Sequence, residues 1–356
     1  MDALIDFLNM RASYFASAIF FILFWALWIY LRRRKPRVYE LGVSLSLGPL
    51  PLRFAFIDYL KALISWIFLF ARVFSVKPGL YYTGKSSDSS QLLEAPLLVT
   101  GNNFLTVFLL VRRIKPRNVR LLVVDTEEIN VWCSSAKGRF SAYEIIEKAS
   151  LGELVGGGNN VSMILPKFSL AGVNLAILEK AGVKPIIGPL YAKDLPAYLD
   201  EEKYEDRVHD RVHFGLKSRA FTALPTATQF LLYFGGAYVL TLGLGTPSMI
   251  WIGVGLAFSY PLLFPFLPSR FFAMKGFFLG SLASLITLLY FFATKQSYYG
   301  TIPIVLFLFA TSIFVGLSYT GNSAVSNYSR VRKEIVHFLP VVIVLYLLTI
   351  LAWFLF

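Results

Sequence analysis

Hydrophobic residues are arranged in two regimes along the chain. From Ser13 to Leu31, and again from Thr222 to Phe356, apolar residues run almost continuously and charges are confined to the gaps. A bilayer crossing takes about 20 mostly apolar residues. "SYFASAIFFILFWALWIYL", 13–31, therefore predicts one span, and stretches near 226–244, 247–267, 275–293, 301–319 and 337–356 predict five more. The first is too long and aromatic for a signal-peptide core, and no small-residue cleavage site follows it. It predicts a retained anchor over 1–35, with a five-helix membrane domain over 217–356.

A further apolar stretch, Phe54 to Phe74, differs in pattern. Asp58, Lys61, Ser65 and Arg72 recur within it at helical spacing, inside a stripe about 60° wide at 100° per residue. A charge at a bilayer centre costs roughly 2.5–3.5 kcal/mol. The pattern favours an amphipathic helix lying in the membrane interface, anchored by Trp66, over a seventh span. It falls in a linker over 36–77.

Between these regimes the period changes. "LLVTG" (97–101), "RLLVVDT" (120–126), "VSMILP" (161–166) and "KPIIGP" (184–189) are short, β-branched runs that predict buried strands. Helical patterns at 103–114, 134–149 and 169–181 separate them. The alternation predicts an α/β domain over 78–216, a parallel sheet with helices on both faces. Ligands on such sheets sit beyond the carboxyl ends of the strands, and Asp125, Asn130 and Cys133 fall just past the end of the second strand.

Composition agrees with a bilayer. Apolar residues are 56% of the 356 and charged residues 15%, against roughly 25% charged in soluble proteins. The net charge of +13 follows from cytoplasmic loops: Arg32–Arg37, Lys217, Arg219, Arg270, Lys275, Arg330, Arg332 and Lys333 all fall on one predicted side. The positive-inside rule then places both termini outside and residues 32–220 in the cytoplasm of an inner-membrane, multi-pass protein. No nucleic-acid motif accompanies the charge. The single cysteine, Cys133, excludes an internal disulfide and the thiolates of an iron–sulfur cluster.

That cysteine lies in "NVWCSSAKG", 130–138, which resembles the cap-helix signature Asn-Val-Trp-Cys-Ala-Ala-Gly-Lys-Gly of the mercury-methylating corrinoid membrane protein family. "KPGLYYTG" (77–84), "PLLVTGNNFLTV" (96–107), "ILPKFSLAGV" (164–173), "GPLYAKDLPAYL" (188–199) and "YTGNSAVSNYSRVRKE" (319–334) resemble further family segments in the same order. The resemblance covers about residues 76–340 and leaves the N-terminal anchor outside. It implies a Rossmann-like corrinoid-binding domain, similar to that of the CO dehydrogenase/acetyl-CoA synthase corrinoid protein, followed by membrane helices. It implies that Cys133 is the lower axial ligand to cobalt, and that Asn130, Val131, Trp132, Ser134, Ser135, Ala136 and Lys137, with Asp125 and Thr100, surround the cofactor. A thiolate is a soft, strongly donating ligand. Below cobalt it would help a methyl group leave with its bonding electrons, which suits mercury(II) as acceptor.

The implied partners are a ferredoxin-like iron–sulfur protein, which the cysteine count also requires, and a methyl-donating corrinoid or folate methyltransferase. With no second thiol in the chain, mercury(II) would arrive as a thiol complex. From the residues themselves, a helix starting near Cys133, with Lys137 one turn later, predicts a lowered thiol pKa. Asn130 predicts a cap, and Trp132 one wall of the site.

The chain departs from the family pattern at Ser134, Ser135 and Ala136, and at Lys167, Ser169 and Ala171. Two alternatives therefore stay open: a corrinoid methyl carrier with another acceptor, and a non-catalytic membrane binding or transport module. "TGNS" (320–323) is a candidate to face the cofactor from the membrane side. Other features have plainer readings. Taken alone, Asp125 is a turn former and a lone cysteine beside tryptophan a core residue. "GGGNN" (156–160) lacks the Lys-Ser/Thr of a phosphate loop, and His209 and His213 sit on a charged, solvated helical face.

Overall fold

The computed structural model describes residues 50–52, 54–83, 94–155, 160–200, 212–240, 247–295, 300–323, 325–326 and 328–355. The expected anchor, most of "GGGNN" and His209 lie outside them. The chain divides into two compact units, residues 40–212 and a unit that includes 213–356.

The first unit is built on a mixed sheet of β1 (Leu50–Pro51), β2 (Gly79–Thr83), β3 (Leu97–Gly101), β4 (Val119–Val124), β5 (Val161–Leu165) and β6 (Val183–Ile187), in the order β1-β2-β4-β3-β5-β6. The four expected strands are present and mutually parallel. The expectation of an all-parallel sheet needs correction at one edge, where β2 runs antiparallel to β4 and β1 pairs with β2. A parallel sheet with an antiparallel edge strand is a common solution, and "GLYYT" only partly buries its side chains there. β3 and β4 are buried along their whole length, as central strands covered on both faces must be.

Helices cover both faces. On one lie α1 (Phe56–Ile67), α2 (Phe104–Ile114) and α6 (Leu195–Leu199). α2 turns Val107, Val111 and Ile114 entirely inward, each contributing about 1.5–3 kcal/mol of burial, and Asn103 caps it by accepting from Thr106 N. On the other face lie α3 (Val131–Ala136), α4 (Ala142–Leu151) and α5 (Leu175–Lys180). The single helix expected over 134–149 is two, because Gly138 adopts φ +71 and Ser141 starts α4 by accepting from Glu144 N.

α1 belongs to this unit as an integral element. Ala62 and Ser65 are buried, and Trp66, expected as a membrane anchor, packs into the core beneath α2 with Leu69 and Phe74. Asp58 is largely covered, accepting from Ala55 N and pairing with Lys61 at 2.8 Å. The outward face of α1 is apolar.

The second unit contains α7 (Leu216–Leu240), α8 (Pro247–Leu263), α9 (Phe272–Ala293), α10 (Thr301–Tyr319) and α11 (Tyr328–Leu355), one helix for each of the five expected C-terminal spans. Three helices, over Phe272–Ala293, Thr301–Tyr319 and Ser329–Ala352, are long and apolar enough to cross a membrane, while Met249–Leu263 is shorter. They mark a membrane protein. α10 is the most enclosed of the three and touches α8, α9 and α11. α9 approaches it through Gly276 and Gly280. A Cβ at Gly276 would lie 2.1 Å from Ser312 O and one at Gly316 2.3 Å from Phe272 O, the small-residue contact by which membrane helices pack closely.

Near the helix ends, outside the middle of the expected spans, Arg219, Lys275 and Glu334 are buried. Glu334 Oε2 accepts from Ala273 N at 2.9 Å, and the Lys275 ammonium donates to the carbonyls of Phe264 and Leu267. They satisfy helix ends. Asn322 of "TGNS" donates to Thr226 Oγ1 at 3.2 Å, within the same unit.

Candidate functional site

β3 stands between β4 and β5, so the chain reverses direction across the sheet there, and α3 spans that place. It follows β4 and packs on the Lys167–Ser169 turn that follows β5: Trp132 meets Phe168 edge-on at 5.1 Å, and Ser135 Oγ donates to Ser169 O at 2.7 Å. The carboxyl edge, where ligands of open α/β sheets bind, is thus roofed by the helix that carries Cys133.

The turn into α3 is held from β3. The Asn102 side chain, 3% exposed, accepts from Thr126 N at 3.0 Å, Thr126 Oγ1 at 2.8 Å and Glu128 N at 3.1 Å, and donates to Asp125 Oδ1 at 3.1 Å. Asn103 Nδ2 donates to Glu128 O at 2.9 Å, and Thr126 Oγ1 also donates to Ile129 O at 2.7 Å. These bonds enforce two consecutive left-handed residues, Glu127 at φ 55 and Glu128 at φ 56, a conformation uncommon without glycine. Asp125 Oδ1 accepts from Glu127 N at 2.9 Å, the geometry of a turn former. Glu144, from the first turn of α4, accepts from Asp125 N at 3.1 Å. Burial pushes its carboxyl up, against the opposing pull of Lys148.

α3 itself has a sharp division. Val131, Ser134 and Ser135 face the core, while Trp132 and Cys133 are half-buried and Ala136 and Lys137 exposed. Asn130 caps the helix, its Oδ1 accepting from Cys133 N at 2.9 Å. Ser134 Oγ donates to the carbonyls of Asn130 and Val131.

A ligand lying on the open side of α3 therefore meets Trp132, Cys133, Ala136 and Lys137. Of the other residues that the resemblance places around the cofactor, Val131, Ser134, Ser135 and Thr100 are buried. Ser134 and Ser135 help to set the position of α3 through their hydrogen bonds to Asn130, Val131 and Ser169. Gly172 completes the support: a Cβ there would lie 2.2 Å from Ser135 O, so only glycine lets the loop after β5 approach α3 so closely.

The expected lowering of the Cys133 pKa is not what the fold produces. Burial pushes the thiol up, and Lys137, the Asn130 hydrogen bond and Arg72 only partly oppose it. A six-residue helix carries a small dipole, whereas desolvation acts on the whole thiolate charge. Arg72, itself at φ 50, reaches the rim from the segment after α1 and donates to Glu127 O at 3.4 Å.

Among the described residues no three of His, Cys, Asp and Glu gather where they could hold a metal ion. Asn102, Asn103, Glu144 and Gly172 were not singled out in the sequence as site residues. The Asn pair directly after a buried strand was a usable signal, and nothing local marks Glu144. The chain matches no protein-family model, and no curated protein is significantly similar to it.

Proposed function

We propose that this chain is a membrane-bound corrinoid protein that transfers a methyl group from cobalt to mercury(II), with Cys133 as the lower axial ligand. One observation carries the reading. The segment resembling the corrinoid cap helix forms a short helix across the carboxyl edge of an α/β sheet, with its only thiol on the open side.

When bound, the corrinoid supplies a methylated cobalt centre. The chain's own residues prepare for it as follows. Asn130 holds the backbone at Cys133 and so fixes the direction of the sulfur. Because burial favours the protonated thiol, ligation must release a proton to solvent, and the positive charges of Lys137 and Arg72 favour the thiolate left behind. Trp132, braced by Phe168, gives the ring an apolar wall, and Ala136 a flat seat.

The departures from the family pattern leave Asn130, Trp132, Cys133 and Lys137 unchanged. Ser134 and Ser135 are buried, and Ser135 bonds to Ser169, itself a departure. Ser135 thus bonds to the backbone of the Lys167–Ser169 turn on the core side of α3, while Ala136, Lys167 and Ala171 are changes outside the core. In this reading a cytoplasmic corrinoid domain follows an N-terminal anchor and precedes five further spans, and a ferredoxin-like protein returns electrons to cobalt.

The test is the visible spectrum of the full chain reconstituted with methylcorrinoid, beside Cys133→Ala, together with methylmercury formed from a mercury(II)–thiol complex. We expect a cobalt band that shifts on Cys133→Ala and product only with Cys133. Identical spectra would reject the sulfur–cobalt bond, and bound pigment without product would reject mercury as acceptor.

A further inference from the structure

We propose that the α/β unit itself seats on an anionic bilayer surface through the outer face of α1 and the adjoining end of α2. α1 is turned the opposite way from a helix of a water-soluble domain. Its Ser65 is buried and its Asp58 bonds to Ala55 N and Lys61 of its own first turns, while Phe56 is 91% exposed and Ile57, Tyr59, Leu60 and Leu63 are each 47–52% exposed. Leu109 of α2 extends the patch. Contiguous apolar surface of this kind marks an interaction site.

Its rim says what covers it. Arg112 lies 5.3 Å from the Tyr59 ring, Arg113 beside it is exposed, and Lys61 lies on α1 itself. The sequence of α2, "FLTVFLLVRRI", contains no acid, and Asp58 is already paired with Lys61. An apolar face bordered by arginines is the composition of a helix lying in an anionic headgroup layer. A second copy would offer this face no acid from α2, whereas an anionic headgroup layer supplies the counter-charge. The same chain carries helices able to cross a membrane, so a bilayer is always within reach. The seat does not depend on what Cys133 binds.

The test uses the full chain in vesicles of phosphatidylcholine, with and without one third phosphatidylglycerol. In a Cys133→Ala background, a single environment-sensitive fluorophore is attached at Ile57→Cys, Leu60→Cys or Tyr143→Cys. Tyr143 is 71% exposed on α4, against the other face of the sheet. We expect doxyl-labelled lipid to quench the labels at 57 and 60 but not at 143, most strongly in anionic vesicles. Arg112→Glu with Arg113→Glu should lower the docked-to-free ratio about fivefold per charge.

Labels at both 57 and 60 that remain open to iodide and unquenched in either vesicle would overturn the seat. So would burial that lipid quenchers miss and that disappears as protein is diluted in the bilayer, the behaviour of a second copy. Equal quenching in both vesicles, unmoved by charge reversal, would overturn the anionic component.

Discussion

Asn102→Ala tests whether one side chain holds the rim beneath Cys133. The substitution removes four hydrogen bonds of 2.8–3.1 Å. Thr126 is fully buried, so its N–H loses its acceptor where water cannot replace it, at a cost of about 1–3 kcal/mol. Its hydroxyl keeps Ile129 O. Glu128 N lies nearer the surface, where solvent can take over. The left-handed pair Glu127–Glu128 loses part of its restraint, and each such residue costs about 1–3 kcal/mol to hold. Local opening of the turn and α3 should become easier by about 2–4 kcal/mol, or roughly 30-fold to several hundred-fold in population.

Hydrogen exchange of the full chain in micelles, followed by mass spectrometry, reads this directly in the peptide covering 126–137, with the β5–β6 peptides as the internal control. Asn102→Asp should lie between, since it keeps the acceptor but loses the donor to Asp125 and sets two carboxylates together. Protection over 126–137 unchanged within about threefold in Asn102→Ala would refute the assignment.

Gly172→Ala should push α3 away from the Lys167–Ser169 turn and destabilise the unit by about 1–3 kcal/mol, seen as a lower thermal midpoint; an unchanged midpoint would mean that the loop has room the structure denies. Asn130→Ala should cost about 0.5–2 kcal/mol through the lost cap and speed exchange at Cys133 N–H selectively. Burial raises the Cys133 pKa, so the folded chain holds that proton more tightly than the unfolded one. Its stabilising effect is complete below the ordinary thiol value of about 8.5 and declines as pH rises through the folded value. Iodoacetamide alkylation of the apo-protein should accordingly reach its midpoint above about 8.5, and a midpoint below it would show that Lys137 and Arg72 outweigh burial. Gly276→Leu should separate α9 from α10 and lower the thermal stability of the helical unit, whereas Gly255→Leu, with open space around it, should be near neutral.

Much of the local structure was legible before folding. Short β-branched runs became β3 to β6, because such residues fit a pleated, covered strand. Asn130 precedes α3 and caps it as expected. The long apolar runs became the helices of the second unit, for want of any other way to satisfy a backbone in lipid. Where expectation and structure parted, the cause was burial. β2 gave no strong signal because its side chains are only partly buried, so it lacks the continuous apolar run of the central strands. Trp66 was expected in the membrane because the packing of α2 over it is invisible in a helical period.

The sequence by itself determined which residues cap, which runs extend, that apolar helices long enough for a bilayer are present, and that one thiol sits just past a strand end. These follow from backbone sterics, local hydrogen bonding and burial period, which act over a few residues. Only the tertiary structure decided that Ser134 and Ser135 turn inward while Cys133 turns out, that Asn102 and Glu144 clamp the turn, and that desolvation dominates the thiol's acidity. It also left the apolar face of α1 exposed among the described residues of its unit. Those outcomes depend on which distant segments displace water from one another, and no local pattern carries that information.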